Sequence, residues 1–214
     1  MLRLLLVDGV LRYYTPILPV ESDDNSVRRS TNNYLGKPHS MPTGLKQTSS
    51  TVAIGFSLPE TGANTFTELT VDLNMSPLDR EVFVIQAVNL DPESPDCNET
   101  SNSATNCSLT STSQAATARP ATLGDSNCFA VAQQRIQVNA TSKSAVGFQQ
   151  QSLETPPSTM DFIGIIATND FFVQLIGVGN TNPKGVSGKL YGYRARADAD
   201  IYASLVQSEV LSSI

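Results

Sequence analysis

The 214-residue chain is long enough for one β-sandwich, or one domain carrying long arms, and its net charge of −6 argues against a nucleic-acid-binding body. Charged residues are 16% of the total, below the roughly 25% of an average domain. Neutral Ser, Thr, Asn and Gln fill the gap, so contacts with many neighbours would desolvate few charges.

At the N-terminus the apolar run Leu4–Val7 stops at Asp8. That is short of the roughly 7–15 apolar residues of a secretory leader, so a strand is expected here and an export signal is not. No stretch approaches the roughly 18 apolar residues of a membrane span. Residues 1–50 as a whole are expected to form an extended N-terminal arm, because Pro16, Pro19, Pro38 and Pro42 punctuate a polar tract and each removes a backbone donor. A tract of this length needs a surface to lie on, and a neighbouring subunit would supply one. Its six basic groups (Arg3, Arg12, Arg28, Arg29, Lys37, Lys46) exceed its four acidic ones (Asp8, Glu21, Asp23, Asp24), a balance of +2; with −6 overall, the remainder carries −8. These six cations are the candidate assembly-arm residues, and they could touch an anionic partner such as nucleic acid.

Residues 51–196 read as short strands. Thr51–Leu58 is the first. In Phe66–Met75 the residues Leu69, Val71, Leu73 and Met75 alternate with Glu68, Thr70, Asp72 and Asn74, the period of a half-buried strand. Glu81–Leu90 is apolar on both faces over Val82–Ile85, as in a central strand. Asp91–Leu123 is rich in Ser, Thr, Asn and Ala and broken by Pro92, Pro95 and Pro120, which predicts an exposed polar insertion. Strands resume at Asn127–Val138 and Ser144–Gln151. Met160–Thr168 and Phe171–Val178 flank Asn169-Asp170, a tight-hairpin signal. Gly185–Ala195 is the last strand. Residues 197–214 are expected to form a short helix, capped by Asp198 or Asp200 and apolar at Ile201, Leu205, Val206 and Val210. The pattern predicts an all-β, antiparallel two-sheet sandwich, with a jelly roll preferred over an immunoglobulin-like topology.

Chemistry finds little foothold. One histidine, His39, lies in a polar tract with no evident orienting partner, and no CxxC pair offers a zinc site. Glu68 and Asp72 share a strand face as ordinary surface charge, and Asp91, Glu93 and Asp96 lack the spacing of a calcium loop. Gly177-Val178-Gly179 precedes a turn, not a helix, so it is no dinucleotide loop. Tyr191 and Tyr193 read as sheet packing. Three cysteines cannot all pair within one chain; Cys97 and Cys107 flank a polar loop and could close a small disulfide ring. Asn98, Asn106 and Asn139 open glycosylation sequons of a kind that chance supplies in so Ser/Thr-rich a chain. No enzyme, cofactor or metal is expected.

The stretch Met160–Val173, with Lys189–Ala195 leading into the terminal helix and Glu81–Leu90 before it, resembles the single jelly-roll capsid subunits of tailless icosahedral viruses of bacteria and archaea. The resemblance spans about residues 50–196 in layout and has no diagnostic motif. It implies a structural virion protein that self-assembles into a many-copy shell, with copies of itself and other virion proteins as partners. Assembly would take place in the host cytoplasm, and the arm would contact neighbours, genome or the shell interior. The competing expectation is a cell-surface or fibre-tip binding module, an adhesin or carbohydrate-binding sandwich, using the 91–123 insertion for recognition.

Overall fold

The computed structural model describes residues 3–7, 10–14, 43–98, 101–154 and 161–212. The chain divides into two units, Met1–Pro38 and His39–Ile214. In the first, β1 (Arg3–Val7) and β2 (Val10–Tyr14) pair antiparallel with Val7 opposite Val10, so the apolar start is indeed a strand.

The second unit contains β3 (Leu45–Gln47), β4 (Val52–Pro59), β5 (Thr67–Asp72), β6 (Glu81–Pro92), β7 (Ser103–Thr110) and β8 (Cys128–Asn139). After them come β9 (Ser144–Gln150), β10 (Ser152–Glu154), β11 (Gly164–Ile166), β12 (Asp170–Val178), β13 (Gly185–Ala197) and the helix α1 (Ala199–Ser212). All ladders are antiparallel, and their nesting defines the topology. β4 pairs with β13, β5 with β12, β6 with β10 and β11, and β7 with β8. The chain is therefore one long hairpin with its bend at 111–127. Rolling it brings β13 against β6 and β12 against β7, which closes two sheets. One has the order β5-β12-β7-β8-β9; in the other β13 and β6 are central, flanked by β3 and β4 on one side and β10 and β11 on the other.

Between the sheets lies the main core, built from Phe83, Ile85, Val88, Leu90, Leu109, Phe171, Val173, Leu175 and Leu190 among others. The inward residues of β6 change from odd to even numbers after Ile85. A bulge permits this: Tyr191 faces Ala87 while Gly192 faces Ile85, leaving Gln86 as the extra residue. At Gly192 an added Cβ would meet the Phe83 ring at 2.5 Å, so the ring lies directly over the glycine. A second cluster explains why Val82–Ile85 is apolar on both faces. Val82, Val84, Tyr193 and Ala195 point away from the main core, and Ile201, Tyr202, Leu205 and Val206 of α1 pack over them.

Three expectations need correction. The 1–50 arm runs too far: Leu45–Gln47 pairs with Ala195–Ala197 at the edge of its own sheet, and Thr48 N donates to Arg194 O at 2.9 Å. Residues 15–42 lie outside the described residues. The exposed insertion over 91–123 is also overturned in its middle. β7 is a central strand whose Thr105, Cys107 and Leu109 are buried toward the core and whose Ser108 and Thr110 are buried on the other face. Polar composition hid it, because its outward Ser and Thr find partners instead of solvent. Finally, Asn169-Asp170 is no hairpin turn, since β11 and β12 belong to different sheets. Asn169 is spent locking the crossing: its side chain accepts from Met75 N at 2.6 Å and donates to Asp72 Oδ1 at 2.7 Å.

Candidate functional site: a locked loop end and an open edge

The antiparallel nesting carries three connections, 60–66, 93–102 and 179–184, to one end of the sandwich. Their polar groups are bonded to one another. The buried Glu60 carboxylate accepts Gly177 N at 2.5 Å and Lys184 N at 2.8 Å. Asp96 accepts Lys184 Nζ at 2.5 Å, Thr181 N at 2.8 Å and Asn182 N at 3.0 Å. The Lys184 hydrogen bond and then the two backbone donors hold the Asp96 carboxyl down to about 2. Asn180 ties the remaining loops, donating its side-chain amide to Ala104 O at 2.9 Å and its backbone N–H to Asn64 Oδ1 at 2.8 Å. Gly179 takes a positive φ of 66° beside the carbonyl of Asn102, a turn that favours glycine. With the Glu60, Asp96 and Asn180 acceptors engaged by protein donors, the described part of this end is built as a cap more than a receptor.

On the outer face of the five-stranded sheet, residues 111–127 fold back over β7 and β12. Fully buried Gln174 is the fastener: it accepts Ser108 Oγ at 2.7 Å and donates to Thr110 Oγ1 at 2.7 Å and Glu68 Oε2 at 3.1 Å. Glu68 also receives Ser113 Oγ at 2.5 Å and Gln114 N at 2.7 Å, and Ser108 Oγ accepts Ala121 N at 2.9 Å. Glu68 is therefore a structural acceptor rather than free surface charge.

Farther along the same sheet the cover ends. β9 pairs with β8 on one side, has no described strand on the other, and is exposed at all seven of its residues. Val146 is 56% and Phe148 54% exposed, opposite Gln137 and Arg135 of β8. Periodicity located this strand within one residue but missed its openness, which depends on what lies alongside it in space. The absence of charge from Ser144 to Gln150 was the available signal.

The residues singled out from sequence fall elsewhere. Arg3 and Arg12 lie on β1 and β2, opposite Tyr14 and Leu5. Lys46 is exposed on β3, opposite Arg196. Arg28, Arg29, Lys37 and His39 lie outside the described residues. The Cys97–Cys107 ring is not formed: Cys97 is exposed, whereas Cys107 is buried and its thiol donates to Ala132 O at 3.4 Å. Burial pushes the Cys107 thiol up to about 12, which keeps it protonated and inert. Glu93 accepts Gly185 N at 3.0 Å, and Asp91, Glu93 and Asp96 do not converge; no group of three or more metal-ligating side chains occurs among the described residues. Asp198 precedes α1 and its carbonyl accepts Tyr202 N at 2.9 Å, in keeping with a helix start there. No helix among the described residues is long and apolar enough to cross a membrane.

Four nested strand pairs rolled into two sheets make this a jelly-roll β-sandwich with a helix on one outer face. No protein-family model matches the chain, and no curated protein matches it. Among solved structures it is similar to one described as Desmodium yellow mottle tymovirus, at 10% identity and a TM-score of 0.27, over 77% of this chain and 98% of that one. The fold assignment rests on the strand pairing.

Proposed function

We propose that this protein is a non-catalytic structural subunit that self-assembles into a shell, the capsid of a virion. The observation that carries the reading is β9, an uncharged edge strand exposed along its whole length and bearing Val146 and Phe148. A protein that works alone guards such an edge with Lys, Pro or a bulge, because the unpaired N–H and C=O groups recruit other strands. The jelly-roll order agrees with the resemblance to single jelly-roll subunits. It extends the proposal to a tailless icosahedral virion assembled in the host cytoplasm, whose arm, with Arg3, Arg12, Arg28, Arg29 and Lys37, reaches neighbours or genome; Lys46 belongs to the sandwich edge. The binding-module alternative loses its motivating feature, since much of 91–123 is sheet or is pinned to sheet.

Expression of the full chain, followed by light scattering and electron microscopy across a range of salt, tests this. Closed particles of uniform size are expected. A strictly monomeric species at high concentration under every salt condition overturns the reading.

A further inference from the structure

We propose that β9 pairs with β9 of a second copy, antiparallel about a twofold axis through Gly147, so that two five-stranded sheets become one continuous sheet. β9 is the terminal strand of the order β5-β12-β7-β8-β9, so one row of its backbone groups has no ladder partner among the described residues. A second strand satisfies that row directly.

Sequence symmetry favours a copy of the same strand. Gly147 is the midpoint of Ser144–Gln150, and a twofold there sets Val146 of each copy opposite Phe148 of the other. Ala145 then faces Gln149, and Ser144 faces Gln150. Cross-strand pairs of an aromatic with a β-branched residue are among the favourable ones. Isologous contacts also bring like charges together around the axis. The sequence of β9, SAVGFQQ, has no charge to oppose itself, no Pro, and no bulge in its ladder with β8. At the axis, a Cβ added to Gly147 would have only Arg135 O as a neighbour, at 4.0 Å, so the site is open.

The other long edges fit less well. β5 carries Glu68 and Asp72, and β4 has already turned Ile54, Phe56 and Leu58 toward the core. β9 combines a backbone edge unpaired among the described residues with exposed apolar side chains.

This contact deepens the self-association reading and rests on it, but needs only a dimer, not a shell. Sedimentation velocity of the full chain, at salt where no particles form, reads the dimer. Val146→Lys with Phe148→Lys sets Lys opposite Lys and is expected to raise the dimer dissociation constant about tenfold or more. Val146→Lys with Phe148→Glu sets Lys opposite Glu in the same register and is expected to recover dimerisation, with circular dichroism reporting the fold of each variant. Gly147→Cys in a Cys97→Ser chain is expected to cross-link on mild oxidation, while Ala145→Cys, whose opposite residue is Gln149, is not. That pair decides the matter even where a lysine variant fails to fold.

A monomeric wild type overturns the proposal. So does a double-lysine variant that dimerises as tightly as wild type, or Ala145→Cys cross-linking as fast as Gly147→Cys. Protection of β9 amides from hydrogen exchange in a monomer, by the chain's own residues 1–38, overturns it too. Particles that form without the 147–147 bond remove this contact and keep the shell; dimers that never form particles do the reverse.

Discussion

Thr105 is fully buried on the core side of β7, and its hydroxyl has no hydrogen-bond partner among the described residues. Burying a polar group without a partner costs free energy, and an apolar replacement of the same shape removes that cost. Thr105→Val keeps the β-branch that a strand prefers and is expected to gain about 1–2 kcal/mol in urea unfolding. A loss instead would show that the hydroxyl is bonded in solution. Asp96 presents the opposite case, a carboxylate with too many partners to give up. Its pKa lies below the ordinary aspartate value, so folding favours the ionised form, and the stability it confers is present above that ordinary value. That stability drains away as pH falls toward about 2. Asp96→Asn is therefore expected to flatten the acid limb of the stability curve between about pH 4 and pH 2, measured by thermal unfolding at stepped pH. An unchanged slope would place the acid sensitivity elsewhere. Sequence drew attention to Asp96 for its acidic neighbours Asp91 and Glu93, but its actual partner is Lys184, far along the chain and adjacent only once 93–102 and 179–184 meet.

At the level of elements, α1 is held to the sandwich by more than its apolar face. Glu209 is buried and its carboxylate accepts Ala167 N at 2.9 Å and Thr168 N at 2.8 Å, capping the crossing between β11 and β12. Burial raises its pKa, against the pull of those backbone donors. Folding thus favours the protonated form: stability is greatest below the ordinary glutamate pKa and declines as pH rises through the raised one. Glu209→Gln cannot ionise and should abolish that decline. It should also cost about 1–3 kcal/mol near neutral pH, because an amide offers one acceptor oxygen where two N–H groups wait. Chemical unfolding at pH 4 and pH 7 separates the two effects; a variant with the wild-type pH slope would remove Glu209 from the account. Much of this element was legible in advance. The doubly apolar run Val82–Ile85 read as a central strand, and Ile201, Leu205 and Val206 read as the apolar face of a helix; that this face covers the strand was not legible, and Val210, read on the same face, is 53% exposed. Illegible were β7, whose buried Ser108 and Thr110 depend on Gln174 and the 111–127 fold-back, and the sheet change at Asn169, whose local composition suits a hairpin equally well. In each case the deciding partner lies on a segment distant in sequence.

For the whole molecule the arm and the sandwich must be cut at the right place. Removing residues 1–38 leaves every described strand pair of the second unit intact, so the truncated chain is expected to melt at the wild-type temperature. Removing residues 1–50 also deletes β3, stripping the ladder from Ala195–Ala197 and taking Leu45 from the cluster beneath α1. Loss of that partly buried leucine, together with the β3 ladder, argues for a penalty of about 1–2 kcal/mol. A melting comparison of the two truncations therefore distinguishes an arm from a piece of the domain. If the 1–38 form retains the β9 dimer by sedimentation yet yields no closed particles by electron microscopy, the arm links dimers into the shell. Normal particles from that form would deprive the arm of any assembly role and leave shell building to the sandwich surfaces. The two contacts draw on different physics: β9 is uncharged, whereas residues 1–38 hold five basic and four acidic groups, so added salt should weaken arm-dependent ionic contacts and spare the dimer. Dimers that persist at high salt while particles dissolve would bear this division out, and simultaneous loss of both would refute it.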